Sequence, residues 1–379
     1  MIIDLLSTIA TILVFTYGIF CLLLLAIWLT WKNYYPTGFS KTNHKISLII
    51  PVRNESKNII RLLTDLQNQT LAQSDFEVIV ANDDSTDNTA ELVAHFQNQN
   101  SLDLKLINLP PKAVNTSPKK RAITHCIKKA TGSVIVCTDG DCTVSAKWLS
   151  TIKSYFEENE VVFLSAPVFF LDSTSSNTVQ RLWTKIQQIE FASLIVSGAV
   201  SIKMNFPNMC SGANIAYIKE AFFEVNGFEG NEDLASGDDE FLMHKITKAF
   251  PKKVHYLKSK DAIVKTEALH DLQSFYNQRK RWAGKWSKYT LLSPKVMAIF
   301  IFSANAAFVY ALLSFDVQNI GFKMLPEFLF LGSLFFFFKK PSLLLYIPIV
   351  QIIYPFYVLL FGLVSLNKKS YTWKDRKLS

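Results

Sequence analysis

Charge is scarce in this sequence. Asp, Glu, Lys and Arg together make up 19% of its 379 residues, against about 25% in an ordinary soluble domain. Cysteine is scarcer still. Cys21, Cys126, Cys137, Cys142 and Cys210 form no CxxC pair and no zinc-ligand spacing, so they are read as packed, reduced thiols. No GxGxxG and no GxxxxGK[ST] follows any strand-like run, which disfavours a Rossmann dehydrogenase and a P-loop ATPase. The net charge is +9, yet there is no basic face interleaved with aromatics and no nucleic-acid-binding motif. Nucleic acid is therefore not an expected partner.

Apolar residues are what the chain has in excess: 49% are hydrophobic, 30 are Phe, and the mean hydropathy is +0.18. The excess lies at the two ends. Residues 5–31 carry no charge and exceed the ~20 residues a helix needs to cross a bilayer. A cleaved signal peptide would start with basic residues, whereas this segment starts with Asp4. Lys32, Lys41, Lys45 and Arg53 follow the run and mark that side as cytoplasmic. The reading is an uncleaved anchor over residues 1–32 with its N-terminus outside. Residues 294–366 form a second membrane region of two or three helices, with uncharged runs at 296–315 and 343–366. The short stretch 328–338, bounded by Glu327 and Lys339-Lys340, is either a tilted span or a re-entrant element. The basic tail 367–379 (Lys368, Lys369, Lys374, Arg376, Lys377) favours the re-entrant form, because two spans keep that tail inside. The spans then contain no internal acid or base of the kind that marks an ion pathway, which argues against a transporter.

Residues 45–290 have the composition of a soluble domain. Apolar runs at 46–52, 76–81, 104–109 and 133–138 alternate with helical patterns at 55–69 and 119–129. A further helix runs to about residue 99 from Ser85-Thr86-Asp87-Asn88, which supply N-cap chemistry. The alternation implies an α/β fold with a mainly parallel sheet, and ligands of such sheets sit beyond the carboxyl ends of the strands. Asp83 and Asp84 end the second strand; Asp139-Gly140-Asp141 ends the fourth. Carboxylate oxygens there suit Mg²⁺ or Mn²⁺. Lys119, Lys120 and Arg121 are either phosphate contacts or a solvated helix face. In Ser236-Gly237-Asp238-Asp239 the adjacent carboxylates raise one another's pKa, so that one can serve as a base near neutral pH. Gln278-Arg279-Lys280-Arg281-Trp282, with Trp286, offers bidentate phosphate contacts and an indole for a sugar ring; a juxtamembrane headgroup patch has the same composition. Residues 181–207, with Trp183, Ile186, Ile189, Phe191, Leu194 and Ile195, form an interfacial helix or an ordinary core helix.

The series IPVRNE, ANDDSTDNT, DGD, SGANIAY with NGF, GDDEFL and QRKRW, in that order over about residues 45–289, resembles the family 2 glycosyltransferases of GT-A fold. The flanks are similar to those of membrane-bound polysaccharide synthases and glycolipid-forming transferases. The resemblance implies a Rossmann-like GT-A domain in which Asp83 contacts the donor nucleobase. Asn82, Asp83 and Asp84 stand where the family motif has two aspartates and a glycine. Asp139 and Asp141 match the metal-binding pair, with Asp141 the direct ligand, and Lys119 falls near the donor. Asp239 matches the catalytic base, and Asp238 stands where glutamate is usual. Gln278, Arg281 and Trp282 match the motif tied to the diphosphate and acceptor end. QRKRW lies about a dozen residues before the membrane region, so the acceptor side is expected to face the bilayer. The implied reaction is inverting, Mg²⁺- or Mn²⁺-dependent transfer from a nucleotide sugar, a UDP-sugar first, to a lipid or glycan acceptor held in the membrane. The enzyme is then an integral membrane protein with a cytoplasmic catalytic domain. The alternatives are a processive polysaccharide synthase and a catalytically silent, sugar-nucleotide-binding scaffold.

Overall fold

A computed structural model describes residues 2–38, 43–110, 117–232, 234, 236–285, 288–289, 291–365, 371–373 and 376–378. Trp286, Lys41, Lys368, Lys369 and Lys374 lie outside the described residues. The elements begin with α1 (Ile2–Thr30), β1 (Ile46–Val52), α2 (Ile59–Gln67), β2 (Phe76–Asn82), α3 (Thr89–Gln99), β3 (Leu104–Asn108), α4 (Pro118–Lys129) and β4 (Val134–Cys137). There follow α5 (Trp148–Glu158), β5 (Phe163–Ser165), β6 (Val168–Phe170), α6 (Thr178–Lys203), β7 (Ile215–Ile218), α7 (Lys219–Glu224), α8 (Glu240–Ala249), β8 (Val254–Tyr256) and β9 (Val264–Thr266). The chain continues through α9 (Leu272–Ala283), α10 (Leu292–Leu313), α11 (Val317–Phe337) and α12 (Ile347–Val364). It divides into two compact units. One holds Met1–Lys32, Asp172–Val200 and Ala268–Lys369; the other holds Asn33–Leu171, Ser201–Glu267 and Ser370–Ser379.

Among the described residues of the first unit, four helical segments are long and apolar enough to cross a membrane: Asp4–Thr30, Leu292–Leu313, Val317–Phe337 and Pro341–Val364. The third departs from expectation. In place of a short stretch at 328–338 there is a 21-residue helix that starts at Val317 and carries Lys323 and Glu327 within it. The sequence pattern broke at these two charges because each, taken singly, is costly in an apolar helix. Together they are an i,i+4 ion pair at 2.9 Å. Glu327 also accepts from Tyr17 Oη of α1 at 2.7 Å and from Gln351 Nε2 of α12 at 3.0 Å. Lys323 Nζ lies 4.6 Å from the Phe308 ring centre of α10 and 5.0 Å from that of Tyr17. These apolar helices therefore do contain an internal acid and base, contrary to the sequence reading, and both make contacts among the four helices.

The second unit is the α/β domain. Its seven-stranded sheet has the order β3-β2-β1-β4-β7-β5-β8. β1 pairs in parallel with β2 and β4, β2 with β3, and β5 with β8; β7 alone runs antiparallel to its neighbours. Val, Ile and Leu fill the strands because helices cover both faces of such a sheet, and Leu48, Ile49, Ile50, Val78, Ile79, Val80, Val134, Ile135 and Val136 are fully buried. Strand order reverses between β1 and β4, which sets the ligand crevice beyond their carboxyl ends. Because β7 is antiparallel, with Ile215 opposite Cys137, the loop entering β7 arrives at that same edge.

The opposite edge is clamped by one carboxylate. Glu77 is fully buried. Its Oε1 accepts from Ser47 Oγ at 2.6 Å and from the Thr131 amide and hydroxyl at 2.6 and 2.7 Å, and its Oε2 accepts from Lys105 Nζ at 2.5 Å. Burial opposes ionisation, but the hydrogen bonds from Lys105, Ser47 and Thr131 outweigh it and hold the pKa down to about 2 from 4.5. A folded-state pKa below the unfolded value gives stability that is present above the unfolded value and lost as pH falls. Unfolding of the purified protein should therefore become easier between about pH 4.5 and pH 2. A Glu77→Gln variant should be less stable at neutral pH and show a flatter acid limb in denaturant titrations; an unaltered acid limb would remove Glu77 from this role.

Candidate active site

Three strand ends and two loops meet at the crevice edge. After β4 the chain turns through Asp139-Gly140-Asp141. A Cβ at Gly140 would lie 2.9 Å from Val52 and 3.0 Å from Glu55, so only glycine lets this turn sit against the end of β1. α4 begins beside it, with Pro118 in its first turn. Lys119 Nζ lies 2.7 Å from Asp139 Oδ1 and 3.3 Å from Asp238 Oδ2. Asp238 ends the loop before α8, and Gly237 in that loop has a φ of +82°, a conformation that suits glycine. Asp239 is the N-cap of α8: its Oδ1 accepts the Glu240 amide at 2.8 Å and its Oδ2 accepts the Gly212 amide at 2.7 Å.

Asp139, Asp238, Asp239 and Lys119 thus form one cluster. Its electrostatics differ from expectation. Burial pulls the Lys119 pKa down, yet Asp139 and Asp238 hold it well above its ordinary value. Burial likewise works to raise the Asp238 pKa, but Lys119 and then Lys120 lower it below the usual carboxylate value. Repulsion between neighbouring aspartates does not make Asp238 basic, because an ammonium stands beside it.

The basic triplet is not a solvated helix face. Lys120 is buried, donates to the Asn231 carbonyl at 2.6 Å and lies 5.4 Å from the Phe241 ring centre. Arg121 Nη2 pairs with Asp83 Oδ1 at 2.7 Å, and its Nη1 donates to the Pro110 carbonyl at 2.9 Å. Asp83 is therefore oriented by an arginine of α4. Arg53, which follows β1, donates from Nη1 to the Asp83 carbonyl at 2.8 Å and also to the Asp84 carbonyl. Asp84 has a φ of +56°. Where the resembled motif has glycine, this chain keeps the left-handed backbone on an aspartate, one of the few other residues that tolerate it.

Asp141 stands one residue beyond Gly140; Arg61 Nη2 donates to its carbonyl at 3.1 Å, and Cys142 Sγ lies 3.8 Å from its Oδ1. Among the described residues no group of three or more His, Cys, Asp or Glu side chains is arranged to hold a metal ion. Two carboxylates on one tight turn still fit Mg²⁺ or Mn²⁺, which are commonly held by one or two carboxylates with substrate phosphates and water completing the shell.

Gln278, Arg281 and Trp282 lie on α9 in the other unit. Each of the three is partly buried. The arginine over the Trp282 ring is Arg279, at 4.3 Å from the ring centre. The apolar stretch 181–207 is largely α6, whose residues Gln187, Gln188 and Glu190 are also buried.

Sequence reasoning missed Gly212, Arg53 and Asn214. Asn214 is fully buried; it accepts from Trp148 Nε1 at 3.1 Å and donates to the carbonyls of Pro167 and Ala262 at 2.8 Å each. The SGAN loop is thereby fixed, so that the Gly212 amide reaches Asp239. An apolar run flanking an Asn was the available signal, though it says nothing of partners.

The open, mainly parallel α/β sheet, with acidic groups gathered at its switch-point edge, has a GT-A-like fold. Residues 47–222 match the family model for Glycosyl transferase family 2, and that stretch is a family 2 glycosyltransferase domain. A poly(ribitol-phosphate) β-N-acetylglucosaminyltransferase of Staphylococcus aureus is 30% identical over 115 residues, which is 30% of this chain and 19% of the relative. A poly-β-1,6-N-acetyl-D-glucosamine synthase of Staphylococcus epidermidis is 25% identical over 244 residues, 63% of this chain and 53% of the relative. The chain thus spans between a fifth and about half of these relatives. Among solved structures, a mannosyltransferase from Pyrobaculum calidifontis in complex with GDP-Man and Mn²⁺ superposes with a TM-score of 0.57 at 17% identity, covering 93% of this chain and 99% of that one. At that identity the likeness is one of fold.

Gly212 supplies a direct test of the cluster. A Cβ there would lie 3.2 Å from Asp238 Oδ2, 3.3 Å from Lys119 Nζ and 3.4 Å from Asp239 Oδ2. These atoms are held by one another and cannot easily give way. Gly212→Ala should fold, with a loss of about 1–3 kcal/mol from overpacking, and lose about tenfold or more in turnover through displacement of the carboxylates. Full activity in this variant would show the cluster to be looser than its distances imply.

Proposed function

We propose that this protein transfers a sugar from a nucleotide-diphosphate donor to a membrane-held acceptor, with inversion and with Mg²⁺ or Mn²⁺. The observation that carries the proposal is the Lys119–Asp139–Asp238–Asp239 cluster at the crevice edge of a family 2 domain. Asp83, positioned by Arg121, addresses the nucleobase, and the donor is a UDP-sugar. Asp141, with Asp139, would hold the metal, whose chemistry is to neutralise the departing diphosphate. Lys119 adds a fixed positive charge beside Asp139, where negative charge develops on the leaving group.

Asp239 is the base. Amides of Gly212 and Glu240 fix its orientation and occupy two of its roughly four lone-pair sites. It removes the proton of the acceptor hydroxyl as that oxygen attacks the anomeric carbon. The bond to the nucleoside diphosphate breaks on the opposite face, and a single displacement gives inversion. Asp238, kept ionised by Lys119, fixes the ammonium instead of taking the proton. Gln278, Arg281 and Trp282 are assigned to the diphosphate and acceptor end on the order of their motif.

Four helices apolar enough to span support an integral protein, with the domain on the cytoplasmic side by the positive charges that follow α1. They also favour an acceptor held in the bilayer. Similarity to a synthase named for poly-β-1,6-N-acetyl-D-glucosamine supports a second reading, processive polymerisation. Gel analysis of the products separates the two, since a ladder of lengths marks processivity.

Membrane fractions supplied with UDP-N-acetylglucosamine, UDP-glucose or GDP-mannose and Mn²⁺ should release nucleoside diphosphate, more so with added lipid extract. Asp239→Asn should keep nucleotide binding and lose transfer by about 10²–10⁴-fold, the range for removal of a general base. An Asn variant with wild-type turnover would sink the assignment.

A further inference from the structure

The most buried residue of Gln278-Arg279-Lys280-Arg281-Trp282 is one that the motif match to Gln278, Arg281 and Trp282 leaves out. Arg279 is 2% exposed, and its partner Glu190 on α6 is 5% exposed. Arg279 Nε donates to Glu190 Oε1 at 3.2 Å and its Nη2 donates to Oε2, a two-point contact. Tyr357 of α12 donates its hydroxyl to the same Oε1 at 3.1 Å. On its other side Arg279 Nη1 donates to Gln278 Oε1. The guanidinium carbon lies 4.3 Å from the Trp282 ring centre and 4.5 Å from that of Phe275. Phe191, next to Glu190 on α6, faces Trp282 with ring centres 6.1 Å apart.

We propose that Glu190 is the positioning residue of the QRKRW segment: through Arg279 it sets the orientation of Gln278 and of the Trp282 indole. The geometry gives the reason. A guanidinium is planar, and two N–H bonds to the two oxygens of one carboxylate fix its plane as well as its place. Trp282 packs on that fixed plane, and Gln278 accepts from its remaining edge. Two of the three motif residues assigned to the reaction therefore rest on Arg279, and Arg279 rests on Glu190.

Attachment of α9 does not require this pair. Its N-terminal approach is already held by neutral bonds: Gln187 donates to and accepts from the Leu269 backbone at 2.8 and 3.1 Å, and Trp183 Nε1 donates to the Leu269 carbonyl at 3.0 Å. Buried ion pairs also contribute little stability beyond what apolar residues of similar volume supply. What the charged pair adds is direction.

The inference rests on the reading that Gln278 and Trp282 serve the transfer reaction, and the experiment separates the two. Full-length protein in detergent is labelled with 5-fluorotryptophan, and the Trp282 fluorine resonance is assigned by its loss in Trp282→Phe. Glu190→Gln removes the charge; Glu190→Asp keeps it, shortens the reach and guards against misfolding of the first variant. Either folded variant should shift or split the Trp282 resonance, leave most of the other six tryptophans in place, and lower turnover with UDP-N-acetylglucosamine, UDP-glucose or GDP-mannose by about tenfold or more. The donor KM should change far less than kcat. A Trp282 resonance unchanged in both variants overturns the positioning role, even if their melting temperatures fall. Trp282→Phe and Gln278→Ala enzymes with full turnover would instead remove those residues from the reaction, and the resonance shift would still stand as the test of Glu190.

Discussion

One ammonium group organises the candidate site. Lys119 Nζ sits between Asp139 and Asp238, so the turn after β4 and the loop before α8 are joined through a charge and not through backbone pairing. Without it, three carboxylates from two parts of the chain would stand close together and repel. The surrounding features follow from this contact. Gly212 is tolerated because its missing side chain leaves room beside the ammonium. Asp238 stays ionised because the ammonium is there. Asp239 is oriented by two amides.

Much of the α/β domain was legible in the sequence, since period and apolar runs report burial directly. The strands expected at 46–52 and 76–81 are β1 and β2, Ile46–Val52 and Phe76–Asn82. The antiparallel direction of β7 was not legible, because strand direction depends on the path of a long connection and leaves no local pattern. The cluster was legible as a list of acids at strand ends. Its pairing was not: Arg121 with Asp83 and Lys120 with the Asn231 carbonyl could be read equally as phosphate contacts or as the solvated face of a basic helix. A lysine on a helix is ambiguous until the partner is known, and here the partners come from elsewhere in the fold.

The same limit applied to the QRKRW segment. By type, Arg279 and Arg281 are equal candidates for a phosphate. Only Glu190, 89 residues earlier on a helix that read as apolar, distinguishes them. A lone acid in such a stretch was the available sign, and composition dilutes it.

The ion pair inside α11 bears on how the protein is made. Of the four helices apolar enough to cross a membrane, α11 is the least so, and each of its two charges costs a few kcal/mol on leaving water alone. Its hydrogen-bond partners are synthesised at very different times: Tyr17 comes first and Gln351 last. Until the ribosome has delivered α12, Glu327 lacks one of its two neutral donors. If α11 enters a bilayer, its full set of contacts can form only after residue 351 has been delivered, and a nascent polypeptide halted before that residue should hold the helix less firmly.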